Sequence, residues 1–364
     1  MNHQIFMKRT LQLAEKGWGN TNPNPLVGAV IVKDNQIIAE GYHAALGGDH
    51  AEIAVLKNSV GDVRGATLYV NLEPCSHHGR TPPCAESIIK SGIREVVISM
   101  IDPNPKVAGR GIQILKQAGI KVTTGVLESE ARKLNEIFIK YITSDNPFLI
   151  MKTAMTLDGK IASVTGDSKW ISCEESRRIV HWLRQRVSAI MVGSGTIIKD
   201  NPALTTRLPS GAGKDPIRII IDSQGRIPID CMAVTETSGA KVILATTTHI
   251  NPWKEENFIK IGVHVIKTDS KDGHVDLSQL MQVLHTLEID SVLLEGGGGL
   301  NAAALDAGIV DKVMIFIAPK IIGGEQAVTP VEGPGIPLMR DAISLADISL
   351  NQSGMDILIE GYVK

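Results

Sequence analysis

Short apolar runs alternate with helical segments along this chain, and the alternation breaks once, at Ser144-Asp145-Asn146-Pro147. Strands interleaved with helices bury their apolar faces in layers, so the chain is predicted to be α/β. A cluster of turn formers ending in proline stops both strand and helix, which places a domain boundary there. The length of 364 residues supports the division, because single cores stop growing near ~250–300 residues. Two domains are therefore expected, 1–145 and 146–364.

In the first half, a helix opens the chain. Apolar runs at 26–32 and 36–42 flank Lys33-Asp34-Asn35, a link suited to a hairpin. A helix at 51–56, a strand at 67–72, a helix at 84–91, a strand at 95–100, a helix at 111–118 and a strand at 121–124 follow, with parallel pairing late in the sheet. Leu127, Ala131, Leu134, Phe138 and Tyr141 keep one face apolar and predict one further helix. Beyond residue 146 the apolar strands are expected at 148–155, 189–192, 217–221, 242–245, 263–266, 291–294 and 313–317.

Lys+Arg 37 against Asp+Glu 39 gives a net charge of −2. That is no footprint for nucleic acid and favours a small-molecule substrate. No apolar run reaches the ~18 residues of a membrane span. Lys8 and Arg9 stand where a signal peptide needs its apolar stretch. Four cysteines in so long a chain argue against a disulfide framework. A cytoplasmic protein with reduced thiols is expected. Its oligomeric state, a homo-oligomer included, is left open.

His50-Ala51-Glu52 is placed where a loop runs into a helix. Pro74-Cys75 follows a strand, and Cys84 starts the next helix. One His and two Cys suit zinc, and three protein ligands leave the open position of a catalytic site. Zinc lowers the pKa of water toward neutrality. Glu52, two residues from His50, can move protons beside the metal without binding it. The order H-x-E…P-C-x-x-C is the zinc-deaminase signature. Here eight residues, SHHGRTPP, separate the cysteines instead of two, so His77 and His78 are alternative ligands. Taken singly, the pieces have bland readings, since free buried cysteines are usually inert core. Asn22-Pro23-Asn24-Pro25 can read the polar edge of a ring or be a plain turn. His43, His77, His78 and Arg80 can meet an anionic group or be solvated loop residues.

In the second half, 189–192 leads into Gly193-Ser194-Gly195-Thr196, and 291–294 into Glu295-Gly296-Gly297-Gly298-Gly299-Leu300-Asn301. Glycines at a strand–helix junction let backbone N–H groups approach a pyrophosphate. Asn301 stands where the third fingerprint glycine belongs, so no standard Rossmann domain is expected. A tight structural turn is the rival reading. Arg177, Arg178, Arg184 and Arg186 fall on a helix and Arg207 in a later loop. They form a solvated face or, in part, a phosphate clamp.

The order of NPNPLVGAV, HAE, EPCSHHGRTPPC, KTAMTLDGKIA, VGSGT and LLEGGGGLN resembles the bifunctional pyrimidine deaminase–reductases of riboflavin biosynthesis, over essentially the whole chain. The long cysteine loop is that family's own form. The resemblance implies a cytidine-deaminase-like α/β/α domain followed by a dihydrofolate-reductase-like α/β domain. It implies hydrolytic deamination of 2,5-diamino-6-ribosylamino-4(3H)-pyrimidinone 5′-phosphate, a small phosphorylated pyrimidine, then NADPH reduction of the ribosyl group to ribityl. One zinc per chain would be held by His50, Cys75 and Cys84, with Glu52 as proton shuttle. NADPH would contact Ala154, Trp170, Thr196, Asp200, Ser223, Gly297, Gly298, Gly299, Leu300, Asn301, Ala302 and Ala303. Substrate would contact Ser168, Arg184, Leu204, Arg207 and Glu295. Arg184 and Arg207 make chemical sense as phosphate ligands; Asp200 and Leu204 rest on the resemblance alone. Lys152 and Glu295 are candidates for the proton step of the reduction.

Two other classes compete. One is a base deaminase acting on RNA with a C-terminal RNA-binding module, which near-neutral charge and 4% aromatics disfavour. The other is non-catalytic, with zinc as a structural staple and glycine turns that bind nothing.

Overall fold

A computed structural model describes residues 2–76, 83–105, 107–209, 211 and 213–364. The chain divides into two compact units, Met1–Asp145 and Asn146–Lys364.

The first unit is built on strands β1 (Gly28–Lys33), β2 (Gln36–Tyr42), β3 (Thr67–Leu72), β4 (Glu95–Met100) and β5 (Lys121–Thr123), in the order β2-β1-β3-β4-β5. β1 runs antiparallel to β2 and β3, while β3, β4 and β5 are parallel. The β1–β2 link turns at Asp34 (φ 50) and Asn35 (φ 63), two residue types that tolerate left-handed backbone. Alternate residues of each strand face opposite ways. Ala29, Ile31, Leu68, Val70, Val96 and Ile98 join one core with Ala51, Val55, Ala85, Ile88, Ile112 and Leu115 of three helices. Val30, Val32, Tyr69 and Val97 join Phe6, Met7 and Leu13 of the first helix in another. Helices thus cover both faces, an α/β/α sandwich.

The single helix expected across 127–141 is two, Glu128–Leu134 and Glu136–Thr143. Asn135 breaks it. Its side-chain oxygen accepts from Leu26 N at 2.8 Å and its amide donates to Leu26 O at 3.0 Å. Asn71, fully buried, also donates to Leu26 O and accepts from Gly28 N.

The second unit has strands β6 (Phe148–Thr156), β7 (Ala189–Gly193), β8 (Ile217–Ile221), β9 (Val242–Thr246) and β10 (His264–Lys267). After a two-stranded hairpin, β11 (Ser270–Lys271) and β12 (His274–Val275), come β13 (Ser291–Leu294), β14 (Lys312–Ala318), β15 (Leu345–Ser353) and β16 (Asp356–Val363). The nine-stranded sheet runs β10-β9-β8-β7-β13-β6-β14-β16-β15. It is parallel from β10 to β14 and antiparallel beyond. Met191, Ile219, Ile243 and Leu294 pack with Leu280, Met281, Leu284 and Ala304 on one face. Ile190, Val192, Ile220 and Leu244 pack with Ile197 and Phe258 on the other. The strands from 148 to 318 lie where the apolar runs place them. The hairpin β15–β16 and the short pair β11–β12 were not anticipated.

Candidate active sites

His50 occupies the N-cap position of the helix Ala51–Lys57, and Glu52 lies buried in its first turn. Cys75 follows β3 by three residues, and Cys84 opens the helix Cys84–Ser91 with its side chain buried. His50 Nδ1 is 3.6 Å from Cys75 Sγ and 3.3 Å from Cys84 Sγ. All three ligand atoms lie within 4.8 Å of one another. A tetrahedral zinc with Zn–S ~2.3 Å and Zn–N ~2.0 Å holds sulfur and nitrogen roughly 3.5 Å apart, so this donor set fits the ion in type and spacing.

The two sulfurs behave as a pair. A hydrogen bond from Cys84 outweighs burial and, with His50 adding to it, holds the Cys75 thiol down at about 4. The same bond pushes Cys84 up, and burial adds to the rise. The Cys84 backbone N–H also donates to Cys75 Sγ at 3.3 Å. Cys75 is thus set up as thiolate. Burial first, and the Cys75 sulfur second, push the Glu52 carboxyl up to about 7. A carboxyl poised there can both take and return a proton near neutrality.

A cavity of about 240 Å³ opens beside these atoms. Asn24, His43 and Glu52 line it on one side, and Asp102, Asn104 and Phe138 elsewhere. His43 Nδ1 donates to Asp49 O at 2.9 Å, so Nε2 accepts from the Asn24 amide at 3.2 Å. Burial keeps His43 below its ordinary pKa, consistent with that neutral tautomer. The Asn-Pro motif therefore supplies Asn24 to the cavity, as its ring-reading interpretation requires. Asp102 and Asn104 were missed, although Asp102-Pro103-Asn104-Pro105 follows a strand at its carboxyl end, where α/β sheets bind ligands.

Glu73 was also missed. Its buried carboxylate accepts four backbone N–H groups: Asp102 (3.2 Å) and Gly109 (2.9 Å) on Oε2, Gly111 (2.9 Å) and Ile112 (3.2 Å) on Oε1. It clamps the cavity-lining segment to the stretch after β3 that carries Cys75. A Cβ at Gly111 would stand 2.0 Å from Pro74 O, so only glycine permits this approach. His77, His78 and Arg80 lie outside the described residues.

In the second unit, β6 and β13 pair in register with Leu294 opposite Met151. Glu295, one residue on, meets Lys152 Nζ at 3.4 Å and Arg184 Nε at 2.7 Å. Their side chains are 12%, 16% and 13% exposed. Burial pushes Glu295 up, but Arg184 and Lys152 overcome it and hold the carboxyl at about 2. Arg184 also donates to Thr205 O at 2.8 Å. His181 Nδ1 accepts from Arg207 N at 3.2 Å, and burial, then Arg184 and Arg207, drive this imidazole down to about 4. The structure therefore joins Arg184 and Glu295 to Lys152, and Arg207 bonds a neutral His181 through its backbone N–H. Leu204 instead packs in the core with Ile190 and Val192 at φ +55, and Ser168 lies in a half-buried loop.

A separate cleft of about 400 Å³ runs past Gly193, Gly195, Ser223, Gly299, Leu300 and Ala303. Gly195 and Gly299 line the cleft in the first turns of the helices Ser194–Asp200 and Gly298–Asp306, where leading N–H groups have no intrahelical partner, and a Cβ at either would meet nothing within 4 Å. The cleft thus fits a dinucleotide such as NADPH. Gly298 and Asn301 serve the fold. A Cβ at Gly298 would lie 2.5 Å from Thr329 O, and Asn301 donates to Pro330 O at 2.8 Å. Ala154 lies in β6, and Thr196 and Asp200 lie in the helix Ser194–Asp200. Trp170 is 62% exposed with the Arg177 guanidinium 4.7 Å from its ring centre. Ala302 lies in the helix Gly298–Asp306.

Residues 1–100 match the cytidine and deoxycytidylate deaminase zinc-binding region, and residues 147–359 the RibD C-terminal domain. The riboflavin biosynthesis protein RibD of Actinobacillus pleuropneumoniae is 48% identical over 358 residues, covering 98% of this chain and 94% of that protein. The chain belongs to the RibD family. RibD of Escherichia coli is 39% identical, with 99% of each chain covered. Among solved structures, RibD of Acinetobacter baumannii superposes with a TM-score of 0.88 at 35% identity, over 100% of this chain and 99% of that one. A diaminohydroxyphosphoribosylaminopyrimidine deaminase/5-amino-6-(5-phosphoribosylamino)uracil reductase from Thermotoga maritima gives 0.84 at 40% identity, with the same coverage.

Like the rest of the RibD family, the chain is a bifunctional deaminase and reductase of riboflavin biosynthesis that uses zinc and NADPH. The rival RNA-binding C-terminal half is not supported, because those residues match a reductase domain. Among the described residues, no helix is long and apolar enough to cross a membrane.

Proposed function

We propose that residues 1–145 hydrolyse the exocyclic amine of 2,5-diamino-6-ribosylamino-4(3H)-pyrimidinone 5′-phosphate, and that residues 146–364 then reduce the ribosyl group of the product to ribityl. The observation that carries the first step is the pairing of a His50–Cys75–Cys84 donor cluster with a buried Glu52 at one small cavity. His50, Cys75 and Cys84 hold the zinc. When bound, the metal supplies a Lewis acid that makes water nucleophilic near neutral pH. Glu52 takes the proton of the attacking water and passes it toward the ring nitrogen and the departing amine. Water adds, the C–N bond breaks, and ammonia leaves with the ring carbon as carbonyl. Asn24, held by His43, faces the ring's polar edge with its side-chain oxygen still able to accept.

In the second unit, Arg184 and Arg207 bind the substrate phosphate and Glu295 orients the sugar. The glycine-lined cleft would hold NADPH, which would supply the hydride for the sugar's first carbon in its open-chain imine form. Lys152 is placed to give the balancing proton to the imine nitrogen. Ala154, Trp170, Thr196, Asp200 and Ser223 complete the cofactor contacts and Ser168 the substrate contacts, whereas Leu204 is taken up by the core. The free cysteines suit a reducing compartment, the cytoplasm.

The test is a coupled assay of ammonia release and then NADPH consumption. Glu52→Gln is expected to keep one zinc per chain and to lose ammonia release by at least ~100-fold, the scale of general acid–base catalysis. Unchanged ammonia release would remove Glu52 from this role.

A further inference from the structure

We propose that Arg226, seconded by Ser223, reads the 2′-phosphate that distinguishes NADPH from NADH, and so sets the cofactor choice of the reductase unit. The inference rests on the cofactor lying in the cleft described above. The glycines at 193, 195 and 299 mark where a pyrophosphate passes. Ser223, Gln224, Arg226 and His274 bring polar side chains to the same cleft, and no carboxylate is among the lining residues. A site built for NADH places an acid on the ribose hydroxyls, whereas one built for NADPH places an arginine at the 2′-phosphate. Arg226 is the one full cation lining the cleft among the described residues.

The turn that carries it is held from several sides. Ser223 O accepts from both the backbone N–H and the hydroxyl of Thr247, at 3.4 and 2.7 Å. Ser223 Oγ accepts from Val275 N at 3.1 Å, which ties the turn to the β11–β12 hairpin and leaves the hydroxyl proton to donate. Lys254 Nζ reaches the carbonyls on either side of Arg226, Gly225 O at 2.5 Å and Ile227 O at 2.9 Å. The guanidinium is aimed as well. Nη2 donates to Ser194 Oγ at 2.8 Å, across the cleft on the Gly193–Gly195 turn. Nε lies 3.8 Å from Asp222 Oδ1, whose other oxygen accepts from Ile227 N. Nη1 has no partner among the described residues, and the side chain is 61% exposed. A pre-positioned guanidinium with a free donor beside a hydroxyl donor is the arrangement a phosphate dianion needs.

The experiment is calorimetric titration of the zinc-loaded full chain with NADPH and with NADH. Arg226→Ala is expected to weaken NADPH roughly 10- to 100-fold and to leave NADH within about twofold, the loss of a charge-assisted contact made by one cofactor only. Arg226→Lys keeps the charge without the planar fork and is expected to fall between. NADH binding by the same variant shows that its site is folded. An equal loss for both dinucleotides, or no loss for either, overturns the assignment. Gly299→Phe separates this from failure of the underlying reading, because it adds bulk where a Cβ meets nothing within 4 Å. If that variant still binds NADPH, the cofactor lies elsewhere and both readings fall. If it abolishes binding while Arg226→Ala acts alike on both cofactors, only the role of Arg226 falls.

Discussion

Glu295→Gln tests whether the ion cluster of the reductase unit is held together by charge. Glu295 sits between Lys152 and Arg184, at 3.4 and 2.7 Å, with all three side chains at most 16% exposed. Its carboxyl is held at about 2 against 4.5 for an ordinary glutamate. The folded state therefore binds this proton more weakly than the unfolded state. The stabilisation is fully present above pH ~4.5 and is lost as pH falls through ~2. At ~1.4 kcal/mol per pKa unit, the gap amounts to about 3 kcal/mol at pH 7 and about 1 kcal/mol near pH 3. The same ~3 kcal/mol follows from breaking a buried ion pair and leaving two cations without a counter-charge. Trp170, Trp182 and Trp253 lie in the second unit and only Trp18 in the first. Urea unfolding followed by tryptophan fluorescence therefore reports mainly on the reductase unit. Wild type and variant should differ by about 3 kcal/mol at pH 7 and converge below pH 4.5. A difference that does not change with pH, or one under ~0.5 kcal/mol at pH 7, would refute the electrostatic account.

Cys84→Ser removes one of two sulfur donors. Zinc content, read by elemental analysis, should fall well below one per chain and ammonia release should fall with it, while reduction of supplied deaminated intermediate stays within about twofold. Glu73→Gln places an amide against N–H donors that now meet a carboxylate. About 3 kcal/mol of stability should be lost, and the deaminase KM should rise more than kcat falls with zinc retained; an unmoved KM would make the clamp purely structural.

The parts legible in the sequence were those whose cause is local. Each zinc-type donor sits at the end of an element, so element order alone brought His50, Cys75 and Cys84 to one place. Continuous apolar runs marked the central strands, which are buried on both faces, and Asp34-Asn35 marked the hairpin turn. What stayed hidden is set by distant partners. The apolar spacing runs unbroken through Asn135, yet the helix stops there because its side chain bonds the backbone of Leu26, 109 positions away. β15 has an exposed face without clean alternation, so no apolar run marks it. Glu73 is one acid beside Pro74 at the end of an apolar strand until its four N–H partners are seen. The glycine run shows the same limit within five residues. Gly299 opens onto a cleft, whereas Gly298 is required because Thr329 O occupies the place of its Cβ. A sequence pattern reports that backbone must come close to something there. Only packing tells whether that something is a ligand or the protein itself.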